Sequence, residues 1–171
     1  MSAMEWLQLH HAPADSGGSA TSTRDGAPWI LVVDDELVVR DLLQRFLVLE
    51  GYKVMCAGDG IEALELFHRY PGTFQAVILD VLMPRMDGCD AFDAMRKIDP
   101  AIAVIVMSGF APGERAGEII GQPATSFITK PFVLGDVLMK IEGLLGHGPR
   151  PRSTWLTEPT SSTPRLEGIT D

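Results

Sequence analysis

The sequence contains few cysteines, no long apolar runs and no excess of basic residues. Its 171 residues include two cysteines, Cys56 and Cys89, which provide neither a disulfide framework nor the spacing of a metal site. No apolar run approaches the ~20 residues of a membrane-spanning helix, and no basic region precedes an apolar stretch at the N-terminus. The net charge of -9 disfavours a nucleic-acid-binding surface. These absences predict a cytoplasmic protein with no membrane contact, no secretory signal and no nucleic-acid partner.

Both ends of the chain have compositions that disfavour a packed core. The Gly- and Ser-rich stretch 15–23 lies near the N-terminus, and four prolines occur among Ser, Thr and Gly after residue 146. We therefore predict a flexible N-terminal tail over 1–28, one folded domain over 29–146 and a disordered C-terminal tail over 147–171. Neither tail is expected to form a DNA-binding output domain. Hydrophobic residues make up 46% of the chain, which is enough to build the core of the central domain.

Between these tails, apolar runs alternate with segments of helical periodicity. Five short strands, each followed by a helix, are typical of a doubly wound parallel sheet. The strands are predicted at Trp29–Val33, Lys53–Ala57, Ala76–Leu79, Ile102–Met107 and Ser126–Thr129. The helices are predicted at about Glu36–Glu50, Ile61–Arg69, Cys89–Ile98, Pro112–Ile120 and Leu134–Leu145.

Two of the predicted helices have informative compositions. The fourth helix carries Gly113 and Gly117. Because each interior glycine costs a helix about 1 kcal/mol, we expect this helix to be the least stable. The first helix has apolar residues roughly on one face, the pattern of a helix that packs on a sheet. These residues are Leu37, Val38, Leu42, Phe46 and Leu49.

Charged side chains occur where three of the predicted strands end. Asp34 and Asp35 follow the first strand, Asp80 follows the third, and Lys130 follows the fifth. The carboxyl ends of parallel strands meet at one edge of a sheet, so these groups should share a cleft. Carboxylates that lie so close repel one another unless a cation joins them. The pattern therefore predicts a divalent metal, an anionic substrate and one aspartate with a special role.

Four motifs in this order resemble those of the receiver domains of two-component response regulators. They are Val33-Asp-Asp-Glu36, the stretch from Leu79 to Gly88, Met107-Ser-Gly109 and Thr129-Lys-Pro-Phe132. The resemblance covers about residues 29–146. It implies a flavodoxin-like, doubly wound parallel sheet of five strands in the order 2-1-3-4-5, together with five helices.

The same resemblance implies a magnesium site. Asp35 and Asp80 would bind Mg²⁺ directly, Asp34 would bind it through water, and the backbone carbonyl of Leu82 would complete the protein ligands. Such a set matches the preference of Mg²⁺ for oxygen ligands and retained waters.

The resemblance also assigns the phosphoryl chemistry. Asp80 would accept a phosphoryl group from a phosphohistidine on a sensor histidine kinase or a histidine phosphotransferase. Lys130 and Ser108 would stabilise the transferred group, and the Lys130–Pro131 bond would be cis. Ser108 and Phe127 would act as switch residues that alter a protein-interaction face. The chain would then be a phosphoacceptor rather than an enzyme that turns over a separate substrate.

Several features of this interpretation stay open at the level of sequence. Leu82 lies two residues after Asp80, and Phe110 lies two residues after Ser108. By the same resemblance, these two positions flank the path of the water that would hydrolyse the phosphoryl group. Because both residues are apolar and cannot orient water, they predict slow self-dephosphorylation. One alternative is a degenerate receiver that binds partners without phosphorylation. Another is a magnesium-dependent phosphatase, which Leu82 disfavours because such enzymes usually have a second acid there. The downstream target is not predicted, and homodimerisation stays open.

Overall fold

The computed structural model describes residues 27–109 and 114–146, in which five strands alternate with five helices. Most residues of the two predicted tails, as well as Phe110, Pro112 and Gly113, lie outside these ranges. None of the helices within them is long and apolar enough to cross a membrane. In chain order the elements are β1 (Trp29–Val33), α1 (Leu37–Leu49), β2 (Lys53–Ala57), α2 (Gly60–Arg69), β3 (Phe74–Asp80), α3 (Gly88–Ile98), β4 (Ala103–Ser108), α4 (Glu114–Ile120), β5 (Thr125–Thr129) and α5 (Leu134–Leu145).

The five strands form one parallel sheet in the order β2-β1-β3-β4-β5. This order confirms the predicted doubly wound, flavodoxin-like fold. The chain first adds β2 on one side of β1 and then places β3 on the other side, so the direction of winding reverses between β1 and β3. In open sheets of this kind, ligands bind beyond the carboxyl ends of the strands at such a reversal.

Both faces of the sheet are covered, and successive strand residues point to opposite faces. Leu31 and Val77 pack with buried residues of α2, α3 and α4. Ile30 and Ile78 belong to the second core cluster, which includes buried residues of α1 and α5. Because helices cover both faces and exclude water from them, the strands appear in the sequence as continuous apolar runs rather than as an alternation of apolar and polar residues.

The face of α1 that packs on the sheet differs from the predicted one. Leu43 and Leu47 are fully buried, and Phe46 is half-buried against the same core. The four other residues of the predicted face are exposed, namely Leu37, Val38, Leu42 and Leu49. The prediction was wrong because α1 carries apolar residues along two stripes, and helical periodicity alone does not decide which stripe meets the sheet.

The helix α4 is the shortest of the described helices, with seven residues. It contacts the core through Ala116 and Ile119, while Gly117 has open space around the position that a Cβ atom would occupy. A short helix with an interior glycine has little intrinsic stability, and packing contributes most of what holds it. Its expected low stability relative to the other helices stays a prediction.

Replacing Gly88 with alanine should destabilise the fold, because a Cβ at this first residue of α3 would lie 2.1 Å from the Asp80 carbonyl oxygen. Backbone must then move, which we expect to lower the free energy of unfolding by about 1–3 kcal/mol. The matched control is Gly143→Ala in α5, where nothing lies within 4 Å. Thermal unfolding followed by circular dichroism should show a lower Tm for Gly88→Ala and an unchanged or higher Tm for Gly143→Ala. Equal Tm values would contradict the predicted clash.

Candidate functional site

The register of the sheet brings the polar strand ends together. Asp80 and Ser108 are the last residues of β3 and β4, one residue further along than the predicted strand ends. Asp34 follows β1, and its backbone N–H continues the ladder by donating to the Ala57 carbonyl at 3.2 Å. The backbone N–H of Lys130 donates to the Ser108 carbonyl at 2.7 Å. The ladder hydrogen bonds therefore fix the backbone positions from which these four side chains extend.

Three carboxylates form a compact cluster at this edge. Asp34, Asp35 and Asp80 each offer an oxygen, and the three oxygens lie within 4.8 Å of one another. Asp34 and Asp80 are buried, whereas Asp35 is exposed. The orientation of Asp34 is fixed locally, because its Oδ1 accepts a hydrogen bond from the Glu36 backbone N–H at 2.9 Å. Such a turn at the start of a helix is typical of aspartate.

The ammonium group of Lys130 joins two of these carboxylates. Its Nζ lies 2.7 Å from Asp34 Oδ2 and 3.0 Å from Asp80 Oδ2. A third acid, Glu36, lies at 3.6 Å through Oε1 and is exposed. Burial lowers the pKa of Lys130, but the hydrogen bonds to Asp34 and Asp80 outweigh this effect and leave the pKa raised. The ammonium therefore stays charged at neutral pH. The bond from Lys130 to Pro131 is cis, which confirms the prediction.

The charges of the cluster do not balance without a further cation. Three carboxylates and one ammonium leave about two negative charges in a small, largely buried volume. Burial raises the pKa of Asp80, the Lys130 ammonium counteracts this rise, and the neighbouring Asp34 carboxylate adds to it. A divalent cation that prefers oxygen ligands would relieve the repulsion. The donor set of this site therefore fits Mg²⁺.

The other predicted site residues lie around this cluster. Leu82 is in the turn between β3 and α3, two residues beyond Asp80, and 60% of its side chain is exposed. Ser108 is buried at the end of β4. Phe127 is half-buried in β5 and packs against the core on the side of α2, α3 and α4. Phe110 lies outside the described residues.

Three residues near the site were missed by the sequence analysis. The Arg40 guanidinium donates a hydrogen bond to the Asp34 backbone carbonyl. Arg85, in the turn after β3, forms an ion pair with Asp59, which lies just before α2. Arg40 follows the acidic motif by one helical turn, a spacing that could have suggested the contact. Arg85 and Asp59 lie in separate loops, and no sequence pattern connects them.

Comparisons with known proteins find close relatives over the same region. A family model described as the response regulator receiver domain matches residues 30–142. The response regulator MprA of Mycobacterium leprae is 35% identical over 116 residues, which are 68% of this chain and 50% of that protein. The sensor kinase CckA of Brucella abortus is 35% identical over 131 residues, 77% of this chain and 13% of that protein. The chain thus spans about half the length of the mycobacterial response regulator that it matches.

Solved structures agree with these relatives. The receiver domain of NtrX from Brucella abortus superposes with a TM-score of 0.62 at 33% identity, covering 70% of this chain and 99% of that one. The matched residues 30–142 include the whole strand-end cluster, from Asp34 to Lys130. The five-stranded order of the sheet is the one expected for such a domain. This chain therefore belongs to the family of receiver domains of two-component response regulators.

Proposed function

We propose that this receiver domain accepts a phosphoryl group on Asp80 with Mg²⁺ held by Asp34, Asp35, Asp80 and the backbone carbonyl of Leu82. The observation that carries the proposal is the Lys130 ammonium, which lies 3.0 Å from Asp80 Oδ2 beside a cluster of three carboxylates. The Lys130 ammonium, together with a divalent cation that the acidic cluster would hold, would neutralise the charge of a transferred phosphoryl group. Asp34 is less suited as acceptor, because its Oδ1 and Oδ2 already accept hydrogen bonds from Glu36 and Lys130.

The proposed donor is a phosphohistidine on a sensor histidine kinase or a histidine phosphotransferase. Oδ1 of Asp80 attacks the phosphorus while Lys130 holds Oδ2. A P–O bond forms as the P–N bond to the imidazole breaks, and the leaving imidazole keeps that electron pair and takes up a proton. Mg²⁺, when bound, supplies positive charge that stabilises the transferred oxygens. The Ser108 hydroxyl donates a hydrogen bond to one of these oxygens.

The product is a modified receiver, so we propose that the chain acts as a phosphoacceptor rather than as an enzyme with a separate substrate. A magnesium-dependent phosphatase is disfavoured, because the position two residues after Asp80 is the exposed, apolar Leu82 instead of an acid. A receiver that only binds partners would have no need for three clustered carboxylates and an ammonium at the strand ends.

Phosphorylation would replace the single negative charge of the Asp80 carboxylate with a phosphoryl group of about -1.5 to -2 charges, at the end of the strand next to β4. We propose that Ser108 moves towards the phosphoryl group and that the Phe127 ring repacks in response. The ring of Phe127 has no hydroxyl, so it cannot signal phosphorylation through a hydrogen bond and must act through packing. The face of α4, β5 and α5 is then the output surface for a downstream protein. The same face could also form a homodimer, which stays a prediction.

Incubating the chain with Mg²⁺ and a small phosphodonor should add the mass of one phosphoryl group, measured on the intact protein. Asp80→Asn should abolish the shift, because an amide oxygen is a poor nucleophile. Asp41→Asn, an exposed carboxylate on α1, is the matched control and should behave as wild type. Absence of any shift in the wild-type chain would favour the receiver that binds partners without phosphorylation.

Exposed apolar residues close in sequence to the site residues support a protein as the donor. Exposed apolar side chains lie within three residues of Asp35, Asp80 and Lys130. Binding a metal ion and a small anion would not require apolar side chains at these positions. Exposed apolar groups around a polar centre are typical of protein-binding surfaces. This apolar rim consists of Leu37, Val38, Leu82 and Val133.

Placing a charge in the apolar rim should slow transfer from a protein donor and leave transfer from a small phosphodonor unchanged. Val38→Asp is the test, since 79% of this side chain is exposed and its loss should leave the core intact. Val48→Asp is the control, because it is also exposed on α1 but lies about 15 Å further along the helix. Phosphorylation rates with a histidine kinase domain that phosphorylates the wild type provide the measurement. Equal slowing by both variants would contradict a role of the rim.

The lifetime of the phosphoryl group should depend on Leu82. Its exposed apolar side chain beside Asp80 cannot orient a water molecule, so we expect slow self-dephosphorylation. Leu82→Asn introduces a polar group at the same place and should accelerate the decay of the phosphorylated protein, followed by intact mass over time. Val133→Asn, a similar change at another position of the apolar rim, should have no such effect. A decay rate that Leu82→Asn leaves unchanged would show that Leu82 does not limit hydrolysis.

A further inference from the structure

The turn after Asp80 contains a residue in an unfavourable backbone conformation. Arg85 has a φ of 66°, and the Met86 backbone N–H donates to the Pro84 carbonyl at 2.8 Å across it. This hydrogen bond closes a three-residue γ-turn, which is rare with a positive φ at its centre. A residue other than glycine persists in such a conformation only when its surroundings hold it there.

The start of α2 provides this support through an ion pair. The Arg85 guanidinium pairs with Oδ2 of Asp59, which is 3% exposed. The same aspartate caps α2, because its Oδ1 accepts hydrogen bonds from the backbone N–H groups of Ile61 at 2.8 Å and Glu62 at 3.0 Å. The two oxygens thus have separate tasks. One stabilises the helix, and the other holds the turn.

A second contact holds the next residue of the turn against the same helix end. A Cβ built on Gly60 would lie 2.7 Å from Met86 Cγ, so the Met86 side chain packs directly over this glycine. Arg85 and Met86 are therefore both fixed by the residue pair Asp59 and Gly60. We call this arrangement the α2 clamp.

The α2 clamp acts on the stretch of chain that carries Leu82. The ends of this stretch are fixed by the backbone: the N–H of Val81 donates to the Met107 carbonyl at 3.0 Å, and the N–H of Gly88 donates to the Val81 carbonyl at 2.9 Å. Between these points, Arg85 pairs with Asp59, whereas Asp87 faces the other way along the chain and caps α3 by accepting a hydrogen bond from the Asp90 backbone N–H at 2.8 Å. Leu82 lies three residues before Arg85, so the conformation of the turn sets the direction of its carbonyl.

We propose that Arg85 is a positioning residue, whose pairing with Asp59 fixes the turn that presents the Leu82 carbonyl to the divalent cation. This inference rests on the proposed metal site. A residue with a purely structural role would affect stability instead. Solvent partly screens this ion pair on the side of the largely exposed Arg85 guanidinium, so its loss should lower the stability only modestly. The consequence of losing Arg85 should therefore appear in metal affinity.

The test is titration of the full chain with Mg²⁺ alone, followed by calorimetry or by amide chemical shifts. Arg85→Gln should weaken binding about tenfold, the low end of the range for groups that orient metal ligands. This direction is diagnostic, because removing a positive charge by itself would strengthen the binding of a cation. Arg45→Gln, which removes an exposed arginine from α1, is the control for that charge effect and should not weaken binding.

Further variants separate positioning from folding. Asp59→Asn keeps the cap on α2 but loses the ion pair, so it should weaken Mg²⁺ binding by a factor similar to that of Arg85→Gln. The double variant should be no weaker than either single one, because both changes remove the same contact. Arg85→Lys should restore most of the affinity, and the Tm of all these variants should stay near that of the wild type.

Two outcomes would overturn the inference, and they are distinguishable. If the wild type binds Mg²⁺ and Arg85→Gln binds it as well or more tightly, Arg85 does not position the site, while the proposed function stands. If the wild-type chain itself does not bind Mg²⁺, the proposed metal site fails, and the inference fails with it.

Discussion

The geometry of the site depends on one constraint, the burial of two carboxylates at neighbouring strand ends. Asp34 and Asp80 are both buried, and like charges that close cannot both stay ionised without compensation. Lys130 supplies part of this compensation from the far side of β4. Its side chain reaches past Ser108 to both acids, for which the long lysine stem and the small serine are suited. The strand order, the small Ser108 at the end of β4 and the length of the Lys130 side chain are thus linked, because all three are needed to bring a positive charge to the two buried carboxylates.

The parts of this arrangement that follow from regular geometry could be predicted from the sequence. Parallel strands buried on both faces appear as apolar runs, and their carboxyl ends must meet at one edge. The closeness of Asp34, Asp80 and Lys130 follows from these two rules, although the residues are far apart in the chain. The strand ends were predicted to within one residue at Asp80 and Ser108 for the same reason.

The parts that depend on irregular geometry could not be predicted. The packing face of α1 was predicted wrongly because the helix has two apolar stripes, and the stripe that the core buries is the one with Leu43 and Leu47. The pairing of Arg85 with Asp59 was missed because both residues lie in loops, where side-chain direction follows from individual backbone angles. No periodicity relates such residues. The sequence therefore indicates which strands supply the charged groups, but not how the turns around them are held.

The site therefore has two parts, one held by the regular hydrogen bonds of the sheet and the other held by side-chain contacts of a turn. Asp34, Asp80 and Lys130 lie on backbone that the ladder hydrogen bonds hold wherever the sheet is formed. The Leu82 carbonyl belongs to a turn whose central residue has an unfavourable φ and is held by side chains from α2. In the proposed metal site, the charge that would attract a cation and the backbone geometry that would complete its coordination can therefore change independently. If the proposed metal site is correct, a substitution at Arg85 alters metal affinity while leaving the charge of Asp80 and the fold of the sheet as they are, because the ion pair of Arg85 with Asp59 is separate from the ladder hydrogen bonds.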